Sequence, residues 1–92
     1  MIYEVRTYGL KPGAVPGFEE NFAKALPHRE KYSKLGAFWH TEFGPLNQVI
    51  LVWPYENLED RARIRKETDK DPNWPPKDDP AIYVNAKSEI FT

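Results

Sequence analysis

The hydrophobic period of this chain switches between two and about 3.6 along its length, and that switching limits its fold more than any other feature. In IYEVRTY, residues 2–8, Tyr3, Val5 and Thr7 alternate with Ile2, Glu4, Arg6 and Tyr8, the pattern of a strand. From Phe18 the steps become three and four: Phe18, Phe22, Ala25, Leu26, Arg29, Tyr32 and Leu35 line one side of an amphipathic helix that ends at Gly36. Pro16 suits the first turn of that helix, where a missing N–H costs nothing, whereas Pro27 predicts a kink or break near Leu26. Alternation returns in AFWHTEF, residues 37–43, and again after the turn GPLN in QVILVW, residues 48–53. Asn57, with Asp60 three residues on, caps a second helix over Leu58–Asp69 that has a thin apolar stripe of Leu58, Ala62 and Ile64. Four prolines between Pro72 and Pro80 remove donors and forbid helical neighbours, so this stretch is a loop. A last strand covers Tyr83–Phe91.

The order strand, helix, strand, strand, helix, strand makes two βαβ halves. Their simplest assembly is an α+β, ferredoxin-like βαββαβ domain: a four-stranded antiparallel sheet with both helices on one face. The 92 residues amount to one domain, 1–92. Period-two parity then divides the sheet. Tyr3, Val5, Thr7, Trp39, Thr41, Phe43, Val49, Leu51, Trp53, Val84, Ala86 and Ile90 are expected under the helices. Ile2, Glu4, Arg6, Tyr8, Phe38, His40, Glu42, Gln48, Ile50, Val52, Asn85, Lys87, Glu89 and Phe91 are expected on the open face. That open face mixes large apolar groups with charges. A patch of this kind calls for a partner, and a second copy laid sheet against sheet is the economical one.

A net charge of −1 argues against a general nucleic-acid or polybasic membrane binder. The mean hydropathy is −0.71, and no apolar run approaches the roughly 20 residues of a membrane span. No secretory leader is expected from MIYEVRTYGL. The absence of cysteine excludes disulfides, thiol catalysis and Cys-ligated metal, and it suits a cytoplasmic setting. No phosphate-binding glycine loop, nucleophile elbow, H-E-x-x-H or dinucleotide fingerprint is present. With two histidines and no ligand spacing, neither a metal nor a cofactor is expected.

The segments IYEVRTYGLKPG, LPHREKY, EFGPLNQVILVWPY and DPNW resemble the NIPSNAP family, over nearly the whole chain up to Trp74. The Y-E-x-R-x-Y start and G-P-L-N-Q-V carry the resemblance most specifically. It implies a ferredoxin-like chain that pairs into a dimeric α+β barrel, hence a homodimer. It implies no particular activity, since bacterial members are largely uncharacterised and eukaryotic ones are associated with mitochondria and protein interactions. Barrel relatives outside the family include cofactor-free monooxygenases and haem-degrading enzymes. After Trp74 the family usually continues helically, whereas this chain has PPKDDP.

Candidate site residues follow from the open face. His40 and Glu42 sit two apart on one strand, the spacing of a general base with an orienting carboxylate; a structural ion-pair cluster with Arg6 and Lys87 is the favoured reading of the same residues. Arg6 and Tyr8 can hold an anionic or carbonyl group, or Arg6 can pair with Glu4 or Glu42. Gln48 is a candidate cavity wall. Asn47 is a second, although turn chemistry explains it more simply. Trp74 either caps a ligand site or anchors its loop, and the run Arg61, Arg63, Arg65, Lys66 reads as a solvated helix face. The leading expectation is a small homodimer that binds a small apolar or aromatic molecule in a barrel cavity. Its rivals are an interaction or scaffold protein whose polar sheet face only serves dimerisation, and a cofactor-independent monooxygenase-like enzyme.

Overall fold

A computed structural model describes all residues, 1–92. Strand β1 (Ile2–Leu10) leads into helix α1 (Val15–Arg29), then β2 (Ala37–His40), β3 (Gln48–Tyr55), helix α2 (Leu58–Thr68), a single 3-10 turn (Pro80–Ile82) and β4 (Tyr83–Phe91). The sheet order is β2-β3-β1-β4 with every neighbouring pair antiparallel, which is the ferredoxin-like plan expected from the element order.

Local chemistry explains most boundaries. Asn57 caps α2 by accepting from the Asp60 N–H at 2.8 Å, and the Asp60 carboxylate accepts from the Glu56 N–H at 3.1 Å. Pro27 does not break α1 near Leu26. The helix runs through it and ends at Arg29, well short of the expected Leu35, and the Glu30 carboxylate then takes up the Leu35 N–H at 3.1 Å. Strand β2 stops at His40 rather than residue 43. Residues 41–47 form the turn, and Asn47 sits at φ 59°, a left-handed conformation that asparagine tolerates.

Strand β3 fixes the core. Val49, Leu51, Trp53 and Tyr55 are all buried against Phe18, Phe22 and Ile64 of the helices and Leu10 of β1. Fully burying side chains of this size contributes roughly 1.5–3 kcal/mol each. Register with β3 then decides the parity of the other strands, and it corrects the sequence-based faces of β1 and β2. Glu4 lies opposite Trp53, Arg6 opposite Leu51 and Tyr8 opposite Val49. These residues therefore face the helices, and Tyr3, Val5 and Thr7 take the open face. In β2, Phe38 opposite Leu51 and His40 opposite Val49 also turn to the helix side, which leaves Trp39 on the open face and 57% exposed. The assignments of Gln48, Ile50 and Val52, and of Lys87, Glu89 and Phe91, to the open face hold.

The inversion is possible because Glu4 is buried with its charge compensated. Its side chain is 0% exposed. It accepts from Arg61 Nε and Nη2 at 3.0 and 3.2 Å, from Arg6 Nη1 at 3.0 Å and from Ser88 Oγ at 2.6 Å. Arg65 Nη1 stands 4.0 Å away. The run expected as a solvated helix face thus divides: Arg61 and Arg65 turn inward to Glu4, and Arg63 pairs with Asp60 outside. Burial by itself would raise the Glu4 value, but the hydrogen bonds from Arg61 and Ser88 and the charges of Arg61 and Arg6 outweigh it, holding the carboxyl down to about 2 from an ordinary 4.5.

A depressed folded-state value stabilises the protein above the unfolded-state value and ceases to do so as pH falls through the folded one. The interval from 4.5 to about 2 corresponds to about 3 kcal/mol, lost on acidification across that window. Urea unfolding at stepped pH is expected to show this loss. Glu4→Gln, which leaves inward arginines without a counter-charge, is expected to cost about 3 kcal/mol at pH 7 and to flatten the acid slope.

Candidate functional site

The sheet and the helices do not close on each other completely. Between them lies a cavity of about 380 Å³, within the size range of small-molecule sites. One wall is aromatic. Trp74, from the proline-rich loop, stands edge-on to Trp53 with ring centres 6.0 Å apart and to Phe22 at 5.8 Å. Tyr8 and Tyr83 form a second edge-to-face pair at 5.5 Å, with Phe18 beside both. Such pairs prefer these tilted arrangements because the edge of one ring is positive and the face of the other negative.

Guanidiniums lie against these same rings, Arg29 over Trp53 and Arg6 over Tyr8. Arg6 donates from Nε to the Tyr8 hydroxyl at 2.7 Å while its Nη1 holds Glu4. Arg65 reaches the cavity from α2. Arg29 is 3% exposed, and its guanidinium lies over the Trp53 ring at 4.2 Å and donates to the Tyr55 hydroxyl at 2.8 Å. Burial pulls Arg29 below its ordinary value, whereas at Arg6 the contacts with Tyr8 and Glu4 outweigh burial and raise it. Both side chains remain charged at neutral pH.

The loop over the cavity mouth is tied at two points. Asp71 accepts from the Asn73 N–H at 2.8 Å and the Tyr32 hydroxyl at 3.0 Å, with Lys31 Nζ at 3.6 Å; the Asn73 bond foremost keeps it below the usual carboxylate range. Asp78 accepts from Asn21 Nδ2 at 2.8 Å and the Tyr83 hydroxyl at 3.3 Å. Burial, and then the Asp78 charge, push the Tyr83 hydroxyl up to about 12, so it stays protonated and donating.

The expected site residues separate. Arg6, Tyr8 and Trp74 meet at the cavity. Gln48 does not: it is on the other side of the sheet and accepts from the Thr41 hydroxyl at 2.8 Å. Asn47 ends the turn at φ 59°, outside the cavity walls, and its backbone carbonyl accepts from the Leu10 N–H of β1 at 2.8 Å. His40 is half-exposed outside the cavity walls; its Nδ1 meets Glu19 Oε1 at 2.9 Å, and Glu42, 80% exposed, lies 3.8 Å from its Nε2. Arg29, Arg65, Tyr55 and Tyr83 escaped the sequence reading. For Arg29 the signal was present, because a charged residue occupied the apolar stripe of α1.

An α+β domain with a cavity between sheet and helices, lined by aromatic rings with guanidiniums lying against them, is the class that this geometry defines. The chain belongs to the NIPSNAP family, whose model matches residues 3–90. It is 40% identical over 73 residues to Protein NipSnap homolog of Dictyostelium discoideum, covering 79% of this chain and 33% of that protein. Protein NipSnap homolog 3B of Homo sapiens is 42% identical over 73 residues, covering 78% and 30%. The chain thus spans about a third of the length of these relatives. Among solved structures, protein Atu4242 from Agrobacterium tumefaciens superposes with a TM-score of 0.90 at 28% identity, covering 100% of this chain and 92% of that one. An antibiotic biosynthesis monooxygenase-like protein from Nitrosomonas europaea, with a TM-score of 0.70 at 10% identity and covering 100% and 97%, shares the fold alone.

Because the His40–Glu19 pair is exposed, His40→Ala is expected to change stability by at most about 0.5 kcal/mol in urea unfolding. A much larger loss would show that the imidazole supports the core.

Proposed function

We propose that this domain binds a small, flat aromatic molecule carrying one polar group, in the cavity between sheet and helices, and that it works as a homodimer. The observation that carries the binding reading is the cavity of about 380 Å³ lined by two groups, the rings of Trp53, Trp74 and Phe22, and the polar side chains of Arg6 and Tyr8. Rings on the ligand would stack on the first group, and its polar group would meet the second. The monooxygenase activity named for a distant fold neighbour is not part of the proposal, and neither is acid–base work by His40 and Glu42, which lie outside the cavity walls.

The homodimer rests on the open face. Tyr3, Trp39 and Phe91 are exposed there, and Ile50 and Val52 lie between them, opposite Thr7 and Val5. A scaffold protein that uses its polar sheet face only for assembly is the weaker reading, because Glu4 and Arg6, the charges it would consume at the interface, face the helices instead. The cysteine-free sequence suits a reducing cytoplasm, where we place the protein.

The three tryptophans provide an internal control. On adding 2-naphthol or 2-naphthoate, the indole N–H cross-peaks of Trp53 and Trp74 are expected to shift saturably while that of Trp39 stays put. Trp74→Ala is expected to weaken binding at least about tenfold, the scale of losing one well-packed ring. No shift with either compound would remove the binding reading. Sedimentation equilibrium is expected to give about twice the 10.8 kDa chain mass, falling to the monomer in Trp39→Asp. A wild-type monomer would remove the dimer.

A further inference from the structure

We infer that the polar group recognised in the cavity is an anion, specifically the carboxylate of an aromatic acid, and that Arg29 is its anchor. This rests on the binding reading above and deepens it. Arg29 is 3% exposed, yet no carboxylate stands within ion-pair distance of it. Its Nη1 donates to Ser33 Oγ at 2.7 Å and to the Ser33 carbonyl at 3.4 Å, and its Nη2 to the Tyr55 hydroxyl at 2.8 Å, all neutral oxygens. None of these bonds uses Nε. The other arginines near the cavity differ: Arg6, Arg61 and Arg65 all gather on Glu4, at 3.0, 3.0 and 4.0 Å. Asp69 and Asp78 also reach the wall, but Asp78 is bonded to Asn21 and Tyr83. Counting Glu4, Asp69 and Asp78 against Arg6, Arg29, Arg61 and Arg65 leaves one positive charge in excess, and Arg29 is the guanidinium with no carboxylate within ion-pair distance.

A buried, always-charged group without a counter-ion is costly, and a ligand that brings one negative charge removes that cost. A single surplus positive charge fits a monoanion. The guanidinium is planar and its central carbon stands 4.2 Å from the Trp53 ring centre, so a carboxylate bound to it would carry an attached ring alongside the aromatic wall. A neutral phenol or ketone would leave the Arg29 charge unanswered.

The test compares 2-naphthoate with 2-naphthol, nearly the same ring system with and without the charge, by calorimetry at pH 7 on the wild-type chain. Naphthoate is expected to bind at least about tenfold more tightly, the factor one charge-assisted hydrogen bond supplies. The Arg29 Nε–H cross-peak is expected to move with naphthoate and not with naphthol. In Arg29→Gln the ratio of the two affinities is expected to fall toward one. Should that variant fail to fold, the wild-type ratio and the Nε–H signal decide alone. Naphthol binding as tightly as naphthoate, an Nε–H peak unmoved at saturation, or a preference that survives in a folded Arg29→Gln would each overturn the inference and leave the cavity reading standing. Binding of neither compound would overturn both.

Discussion

Four hydrogen bonds, from α2, β4 and β1 itself, end on the carboxylate of Glu4, which has no exposed surface. Much of the helix-side architecture follows from this interaction. It lets a charged residue occupy the helix-facing side of β1, and so lets β1 adopt the register in which Tyr8 and Arg6 reach the cavity. It draws Arg61 and Arg65 inward and so orients α2, whose own apolar stripe is too thin to do this alone. It also reaches β4 through Ser88, tying an otherwise exposed edge strand to the centre of the sheet. Removing one partner from such a group is far more damaging than the net worth of the pair, because the remaining charges stay buried.

The cavity is what this arrangement leaves open. Charges held beneath the helices take space that apolar side chains would otherwise fill, and the loop of Trp74 completes the wall instead of a further helix. The loop is held by Asp71 and Asp78, so its prolines are braced against the body of the domain at both ends. The fold is shared within the NIPSNAP family, as the superposition on the Agrobacterium protein shows.

The fold was legible in the sequence because periodicity is a property of each segment alone. The changes of period at Phe18 and Ala37, the turn before Gln48 and the cap at Asn57 marked out α1, β2, β3 and α2, but not the 3-10 turn at Pro80–Ile82. Parity was not legible for β1. Tyr3, Val5 and Thr7 look more apolar than Glu4 and Arg6, and only the long-range partners Arg61 and Ser88, 57 and 84 residues away from Glu4, reverse that judgement. His40 followed the same error, since its strand takes its register from β3. Asn47 takes a left-handed φ of 59° at the end of the turn, where the sequence placed it. Arg29 was visible on its apolar stripe but passed as one of the stripe's members. A charge in that position is the kind of exception that marks a site.

The account depends on Glu4 being an ionised carboxylate under the helices. Carbon-13 NMR of the glutamate side-chain carboxyls, followed from pH 7 down to 2, reads that state directly. A Glu4 signal that stays in its ionised position through pH 4 and begins to move only near about 2 is the result expected from its surroundings. A Glu4 carboxyl that titrates near the ordinary 4.5 would contradict the account, and with it the inward facing of β1 and the cavity it shapes.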